Sequence, residues 1–305
     1  MTTAGKVAYE TLASAAGQSI EKFILESDRG AETRRVYGNA LSIFVNWAED
    51  MPLTTSLVRT FKTFLINKGL APNTVSVYLS AVKQFLSYLV EKGVLPYNLA
   101  NEVKRPRIPK THQRDALTAE AARQLLANIP RNSLKGARDF AMINLMLRTG
   151  IREIEVSRAC IGDITEKEGQ RILEIHGKGR DAKDSFVVLT EEAHRPIVEY
   201  LATRQDADPS SALFTSAGNR SRGKLSTRAI RAVISKYLRD TGLKNRRITP
   251  HSLRHTAITL AIEGGGGDNL VQVQQMARHE NISTTLGYFH EMKRIQNAAE
   301  RAIHI

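Results

Sequence analysis

The first hundred residues carry apolar side chains at helical spacing. Between residues 32 and 50, Phe44 follows Ala40 by four positions and Leu41 by three, and a second stripe of this kind runs from residue 73 to residue 92. Such spacing places apolar side chains on one face of a helix. The pattern predicts a bundle of four helices, near 18–27, 32–50, 55–68 and 73–92.

Single residues indicate where these helices begin and end. Gly69 and Gly93 stand where a helix terminus favours a left-handed residue, a conformation that glycine adopts freely. Asn73, which follows Pro72, is predicted to be the N-cap of the fourth helix, because its side chain can accept a hydrogen bond from the first turn.

A basic segment with two prolines interrupts the helical pattern. Residues 103–114 contain these two prolines and five Lys or Arg residues. Proline lacks a backbone N–H and stops helices, so we interpret the segment as a linker. The predicted organisation is a helical N-terminal domain over 1–102, a basic linker over 103–114 and a C-terminal domain over 115–305.

The pattern after the linker mixes helices with short strands. Helical spacing returns over 118–127, 134–147 and 226–242. Two β-prone runs, 171–176 and 184–189, flank Gly177-Lys178-Gly179-Arg180 and predict a β-hairpin. The expected fold class is therefore mostly α with a small β-sheet (α+β).

Composition narrows the class of partner. The chain has 44 Lys+Arg against 31 Asp+Glu, a formal net charge of +13. This excess favours a polyanionic partner such as nucleic acid, without separating DNA from RNA. Cys160 is the only cysteine, which excludes an intramolecular disulfide framework and a cysteine-based metal cluster. Because the first eighteen residues hold no continuous apolar stretch, we expect a soluble protein in a reducing cytoplasm.

The segment from Thr249 to His290 concentrates chemically active side chains. It holds His251, Arg254, His279 and Tyr288. Arginine binds phosphate oxygens bidentately, histidine transfers protons and tyrosine can act as a nucleophile, so the set can hold and attack a phosphodiester without a metal. His251 and Arg254 are three positions apart, and on a helix they would share a face and bind one anion together.

Taken in order along the chain, these residues resemble the tyrosine recombinase, or phage integrase, family, and the resemblance covers essentially the whole sequence. The segment Thr149-Gly150-Ile151-Arg152-Glu153-Ile154-Glu155 is similar to the family's first box, and Gly177-Lys178-Gly179 is similar to the hairpin that carries its lysine. His251-x-x-Arg254 matches the second box, His279 the third conserved position and Tyr288 the nucleophile. Matches in this order are far more specific than any one of them.

The resemblance implies a two-domain clamp around DNA. A SAM-like core-binding bundle and a catalytic domain would close on a double-stranded core site with inverted repeats. Tyr288 would form a 3′-phosphotyrosyl bond and release a 5′-hydroxyl, and two such rounds would pass through a Holliday junction. The resemblance implies no metal, ATP or other cofactor. Since few residues precede the first helix, we expect the compact Xer type or a small mobile-element recombinase. We expect the protein to be associated with the nucleoid.

The resemblance also assigns roles around the phosphate. Arg152 and Arg254 would bind the non-bridging oxygens, where negative charge develops in the transition state. Glu155 would orient Arg152 or His251. His279 would donate a hydrogen bond to a non-bridging oxygen.

Proton transfer involves the remaining matched residues. Lys178 would protonate the leaving 5′-oxygen, with Arg180 and Lys183 as competing candidates on or next to the same hairpin. His251 would either accept the proton of the tyrosine or bind phosphate.

Two departures from the family pattern stand out. Where the family usually has Leu-Gly before the third-box histidine, this chain has Ala277-Arg278, and Arg278 is predicted to contact DNA. The run from Gly264 to Gly267 lies between the second and third boxes and is expected to loosen their coupling.

Basic residues outside the boxes are predicted to bind DNA. The helix over 226–242 would enter a major groove, with a solvated charged face as the alternative. The full predicted set is Lys104, Arg105, Arg107, Lys110, Arg228, Arg231, Arg246, Arg247 and Arg278.

The partners implied are DNA, further copies of the chain, and no membrane. The segment 291–305 has helical spacing and is predicted to dock on a neighbouring protomer in a tetramer on DNA, the alternative being packing on its own domain. A second recombinase or an accessory protein is left open as a partner. Two other functions are weighed against recombination: a type IB topoisomerase-like enzyme, and a DNA-binding regulator without catalysis.

The charge excess predicts steeply salt-dependent DNA binding. Each phosphate contact releases counterions, so the logarithm of the binding constant should fall by about 0.9 per contact for each unit of log salt. Fluorescence anisotropy over a salt series measures the slope, and a flat plot would contradict the predicted clamp.

Overall fold

Two separately packed units account for the described part of the chain. The computed structural model describes residues 19–49, 51–107, 115–176, 183–204, 208–216, 223–265, 269–296, 298 and 300, with the backbone alone for 291–296. The units are Met1–Thr111 and His112–Ile305. Their division falls inside the segment 103–114, of which residues 103–107 are described. The functional boundaries predicted from the sequence stay a prediction.

Helices form the first unit. They are α1, helical over 19–26, α2 Ala31–Trp47, α3 Leu57–Asn67 and α4 Pro72–Glu91. Gly69 and Gly93 follow α3 and α4 with φ of 71°, as predicted. The predicted N-cap is wrong: Ala71 occupies that position and Pro72 begins α4, because proline's fixed φ suits a first helical turn that needs no backbone donor.

Aromatic side chains fill the core of this unit. Phe44, Phe61 and Phe85 are fully buried, and the rings of Phe44 and Phe61 meet edge to face with centroids 5.0 Å apart. Edge-to-face contact brings the positive ring edge onto the negative ring face and stabilises the pair beyond area burial. The apolar stripes of α2, α3 and α4 therefore close on one another.

The second unit contains eight helices and three strands within its described residues. They are α5 Ala119–Ala127, α6 Leu134–Thr149, α7 Glu153–Arg158, β1 Ile164–Lys167, β2 Gln170–His176, β3 Lys183–Val188, α8 Glu191–Ala202, α9 Thr227–Asp240, α10 Ser252–Gly264, α11 Leu270–Ala277 and α12 Ile282–Gln296. The predicted mostly helical fold with a small sheet is confirmed.

The sheet is antiparallel, in the order β1-β2-β3. Leu173 pairs with Ile164 on one side and with Val187 on the other, which places the centre of β2 over the core. The predicted hairpin corresponds to β2 and β3. Its turn, 177–182, lies outside the described residues, and β1, α7 and α8 did not emerge from the sequence pattern.

Helix α6 lies at the centre of the second unit. Every residue from Arg138 to Leu147 is buried, as expected of a helix that packs against neighbours on all sides. Its buried polar groups are paired: Arg138 binds Asp139 at 2.6 Å and the Thr215 carbonyl at 2.8 Å. Tyr237 of α9 donates to Asp139 at 3.2 Å, and burial together with Asp139 raises the pKa of Tyr237 to about 12.

No described helix combines the length and the apolar character that a membrane crossing requires.

Loss of the Asp139 carboxylate should destabilise the second unit strongly. In Asp139→Ala the buried guanidinium of Arg138 loses its charged partner, and breaking a buried ion pair costs about 3–5 kcal/mol. Urea unfolding measures the change. Tyr237→Phe removes only the hydroxyl that donates to Asp139 and should cost about 1 kcal/mol; equal losses for the two variants would contradict the buried-charge explanation.

Candidate active site

The first box, residues 149–155, and the second box, residues 251–254, meet where helices begin and end. Gly150 ends α6 in the left-handed conformation, φ 62°, and Arg152 is the N-cap residue of α7. An added Cβ at Gly150 would lie 3.5 Å from the Cβ of Ala257 and 4.0 Å from the Cγ of Arg254, both in α10. These are ordinary van der Waals distances, so glycine is favoured at this position by the left-handed turn.

Glu155 holds two guanidiniums at the start of α7. Its Oε1 accepts from Nη1 of Arg152 at 2.8 Å, and its Oε2 accepts from Nη2 of Arg278 at 2.7 Å. Oε2 also accepts from the backbone N–H of Arg152 at 2.7 Å, so the carboxylate reaches back to the N-cap as in a capping box. Burial acts to raise the pKa of Glu155, but the charges of Arg278 and Arg152 and these hydrogen bonds hold it below its ordinary value.

Arg254 is buried and binds the carboxyl-terminal ends of two helices. Its guanidinium donates to the carbonyl of Gly150, after α6, and to that of Ala277, the last residue of α11. These carbonyls lack helical partners and carry partial negative charge, so a cation is stabilised there. Burial, followed by the charges of Arg152 and Arg278, lowers the pKa of Arg254 to about 9, and the group stays charged at neutral pH.

Three consecutive carbonyls at the end of α11 each accept from a guanidinium. Nη1 of Arg278 donates to Met276 at 2.7 Å, Arg254 donates to Ala277, and Nη2 of Arg152 donates to the Arg278 carbonyl at 3.2 Å. Arg278 itself is left-handed, with φ 53° and ψ 48°. We call residues 276–279 the α11 turn.

His279 follows this turn and is held in a fixed orientation. Its Nδ1 lies 2.9 Å from Oγ1 of Thr285, which is fully buried, and its backbone N–H donates to Gln274 at 3.1 Å. The pKa of His279 is lowered to about 4. Burial is the largest cause, and the positive charges of Arg254, Arg152 and Arg278 add to it. The ring is therefore neutral at pH 7. In the tautomer in which Nδ1 accepts from the Thr285 hydroxyl, Nε2 carries the proton and can donate a hydrogen bond to an anion.

Tyr288 lies within α12, half-buried against two histidine rings. Its ring is parallel to that of His279, with centroids 6.3 Å apart, and lies 5.2 Å from that of His255. The Asn281 side chain accepts from the Ser283 N–H at 2.8 Å just before α12, and residues 283–285 lie in its first turn.

His251 is placed differently from Arg254, its predicted companion. It precedes α10 as an exposed N-cap residue, whereas Arg254 is buried one turn later. The ring of His251 packs on that of His255, with centroids 4.9 Å apart. His255, four positions after His251, thus contacts both His251 and Tyr288.

The lysine of the predicted hairpin lies outside the described residues. This holds for Lys178 and for its competitor Arg180. The third candidate, Lys183, binds Asp163 at 2.7 Å and Glu174 at 3.5 Å. The hydrogen bond to Asp163, which is buried, raises the pKa of Lys183. These contacts anchor Lys183 at the base of the hairpin.

The residues predicted to bind DNA fall into two groups. Exposed ones are Lys104, Arg105, Arg107, Arg228, Arg231, Arg246 and Arg247; Lys110 lies outside the described residues. Two of the exposed residues form ion pairs, Arg231 with Glu153 at 3.3 Å and Arg247 with Asp115 at 2.8 Å. Arg278 differs from the expectation, because its side chain is only 10% exposed and turns inward to Glu155.

The cluster can bind an anion. Its described charges are three guanidiniums against the one carboxylate of Glu155, so it has unbalanced positive charge in a partly desolvated place. Within the described ranges, no group of three or more His, Cys, Asp or Glu residues could hold a metal ion.

Comparison with known proteins assigns the chain to a family. Residues 115–294, more than half of the chain, match the phage integrase family, and residues 20–93 match the phage integrase N-terminal SAM-like domain. These matches and the fold define an enzyme of site-specific recombination. The chain belongs to the phage integrase family of tyrosine recombinases. The predicted family and enzyme class are confirmed.

Xer-type proteins are among its relatives. The chain is 30% identical over 277 residues to the tyrosine recombinase XerC of Thermodesulfovibrio yellowstonii, covering 87% of this chain and 88% of that protein. It is 28% identical over 294 residues to XerA of Pyrococcus furiosus, covering 96% of each.

Solved structures share the fold. The XerH site-specific recombinase bound to a palindromic difH substrate, in a post-cleavage complex, matches with a TM-score of 0.69 and 19% identity, covering 88% of this chain and 80% of that one. A lambda integrase dimer bound to a COC′ core site matches with a TM-score of 0.68 and 13% identity, covering 89% and 76%. At these identities the likeness shows the fold alone.

His279 should remain neutral well below neutral pH. In an NMR titration, its ring signals should keep the neutral form down to about pH 5, whereas an ordinary histidine changes near pH 6.5. Arg152→Gln removes one nearby cation, so the pKa of His279 should rise; the control Arg123→Gln changes an exposed arginine and should leave it unchanged. An inflection near the ordinary value in the wild type would contradict the described burial and charge.

Proposed function

We propose that this recombinase exchanges DNA strands through covalent attack by Tyr288 on a scissile phosphodiester. The bond from Tyr288 Oη to phosphorus forms while the bond from phosphorus to the 5′-oxygen breaks, giving a 3′-phosphotyrosyl link and a free 5′-hydroxyl. That hydroxyl then attacks the link in the partner strand, and two rounds pass through a Holliday junction. The observation that carries the proposal is the convergence of Tyr288 with His279, Arg254 and Arg152 in one cluster.

The charges of the cluster support this role. Phosphoryl transfer spreads negative charge over the non-bridging oxygens, and preorganised donors stabilise that charge by about 3 kcal/mol each. Arg152 and Arg254 are held by Glu155 and by helix carbonyls, so little reorganisation accompanies the reaction. Neutral His279 adds a third donor through Nε2 without a proton transfer.

Proton transfer would use groups at the edge of the cluster. We assign protonation of the leaving 5′-oxygen to Lys178, because the contacts of Lys183 with Asp163 and Glu174 occupy that competing side chain. We propose that His251 accepts the tyrosine proton or binds phosphate. His251 packs on His255, and His255 in turn packs on Tyr288.

DNA would be held by exposed basic residues of both units. The exposed ones are Lys104, Arg105 and Arg107 of the linker, and Arg228, Arg231, Arg246 and Arg247 of the second unit. Lys110, which lies outside the described residues, is proposed to bind DNA as well. Exposed ion pairs such as Arg231–Glu153 contribute little stability, so phosphate can displace the carboxylate.

The assembly proposed is a tetramer on a core site with inverted repeats. The domains 1–102 and 115–305, which the linker 103–114 joins, would both bind the duplex. The segment 291–305 would dock on a neighbouring copy. XerH was solved with its difH substrate, and lambda integrase as a dimer on a core site, which supports DNA as the partner.

Covalent trapping tests the nucleophile. Wild-type protein and Tyr288→Phe are incubated with fragmented DNA from the source cell, denatured, and the DNA that stays attached to protein is sequenced. We expect adducts with wild type and none with Tyr288→Phe, because phenylalanine lacks the attacking oxygen. Tyr97→Phe, which changes an exposed tyrosine in the first unit, is the matched control and should form adducts like wild type.

The pattern of adducts separates the alternatives. Clustering at an inverted-repeat site, followed by Holliday junctions on that site, supports recombination. Adducts that religate without any junction would support a topoisomerase-like activity. Salt-sensitive binding without adducts in the wild type would overturn the proposal and favour a regulator.

A further inference from the structure

Arg278 occupies its position at an energetic cost. Its left-handed backbone, with φ 53°, is one that an L side chain reaches only against steric repulsion. Its Nε is buried and has no hydrogen-bond partner within the described part of the chain. Such costs persist only where surrounding contacts fix a residue, and they concentrate at functional sites.

The contacts of Arg278 form a closed ring with the first box. Its Nη2 donates to Oε2 of Glu155 at 2.7 Å, while Nη1 of Arg152 donates to the other carboxylate oxygen at 2.8 Å. Nη2 of Arg152 returns to the Arg278 carbonyl at 3.2 Å. Arg152 and Glu155 thus fix Arg278, which is more than a hundred positions away from both in the chain, and His279 follows Arg278 directly.

We propose that Arg278 is a positioning residue for strand cleavage: its guanidinium holds the Glu155 carboxylate in place, and its carbonyl and the carboxylate together fix Arg152. Its left-handed backbone directs His279 toward Thr285. The inference rests on the proposed function, and it replaces the direct DNA contact that the sequence predicted for Arg278.

The charges around Glu155 make the proposal testable by pH. The charged groups of the packed elements are Arg152, Arg254 and Arg278, together with the ion pairs Arg231–Glu153 and Lys183–Glu174. Burial acts to raise the pKa of Glu155, and the charge of Arg278 is the foremost influence that lowers it. Without Arg278 that pKa rises, and at falling pH the protonated acid ceases to hold Arg152. Loss of Arg278 also raises the pKa of His279. The effect of Glu155 on the rate must therefore be distinguished from that of His279.

Adduct formation at saturating DNA is the first measurement, on the site found by trapping. Arg278→Gly removes the guanidinium and suits the left-handed backbone; we expect the rate to fall about ten- to a hundredfold, as when a supporting residue is lost. Arg278→Lys should recover part of the rate, because lysine restores the charge but not the forked donor. Arg123→Ala is the control, since it removes one charge and a 2.7 Å ion pair at an exposed place, and should keep the wild-type rate.

The pH profile is the second measurement. The deficit of Arg278→Gly relative to the wild type should grow as pH falls, because the pKa of Glu155 is higher in the variant than in the wild type. The double variant Arg278→Gly/Glu155→Gln should lose this extra dependence, because an amide does not titrate. A dependence that survives in the double variant would assign it to His279 and overturn the proposed route through Glu155.

Other outcomes would also overturn the proposal. Weaker DNA binding with a wild-type rate at saturation would make Arg278 a DNA contact. If Arg278→Gly fails to fold, a wild-type rate and pH profile in Arg278→Lys would count against positioning by the forked donor.

A DNA-free readout separates this proposal from the proposed function. Absence of adducts in the wild type would remove the function, but the melting temperature across pH still tests the contact of Arg278 with Glu155. A carboxylate with a depressed folded-state pKa stabilises the protein above its unfolded pKa, and this stabilisation disappears as pH falls through the folded value. This stabilisation should be smaller in Arg278→Gly than in the wild type. If the melting temperatures of the two proteins change in parallel with pH, the contact of Arg278 with Glu155 is rejected.

Discussion

The carboxylate of Glu155 is the charge on which the geometry of the active site depends. Positive groups packed together repel one another and lose hydration when buried, and a fixed negative charge offsets both effects. Glu155 supplies that charge from the first turn of α7, where it also satisfies the backbone N–H of Arg152. Glu155 therefore both caps the first turn of α7 and offsets the repulsion between Arg152 and Arg278.

Helix ends supply the remaining compensation without further acidic residues. Arg254 lies where α6 and α11 both terminate, and the three carbonyls of the α11 turn are all bound by guanidiniums. This arrangement leaves the cluster with an excess of positive charge. Carboxylates in place of the carbonyls would neutralise the cations and weaken their attraction for an anion, whereas peptide dipoles stabilise them and leave the net charge intact.

The sequence was informative where local chemistry determines structure. Apolar periodicity located α2 and α4, and the order of the boxes indicated Arg152, Arg254, His279 and Tyr288 as one site. Short or irregular elements escaped it: α7 has six residues, too few for a period, β1 is Ile-Thr-Glu-Lys, and α8 contains Pro196. The inward position of Arg278 could not be foreseen, because Glu155, its partner, is 123 positions away in the chain.

The small apolar cluster beneath Tyr288 has a separate consequence. Ile258, Ile262, Val273 and Ala277 form a cluster distinct from the main core, with Tyr288 and Phe289 packed against it. Regions with few buried contacts open at lower free energy than the whole domain unfolds. Opening of α11 and α12 would withdraw Tyr288, the proposed nucleophile, while the core around α6 stays folded. Catalytic readiness and global stability are therefore governed by different free energies, so a thermal melt can report an intact protein whose active site is already open.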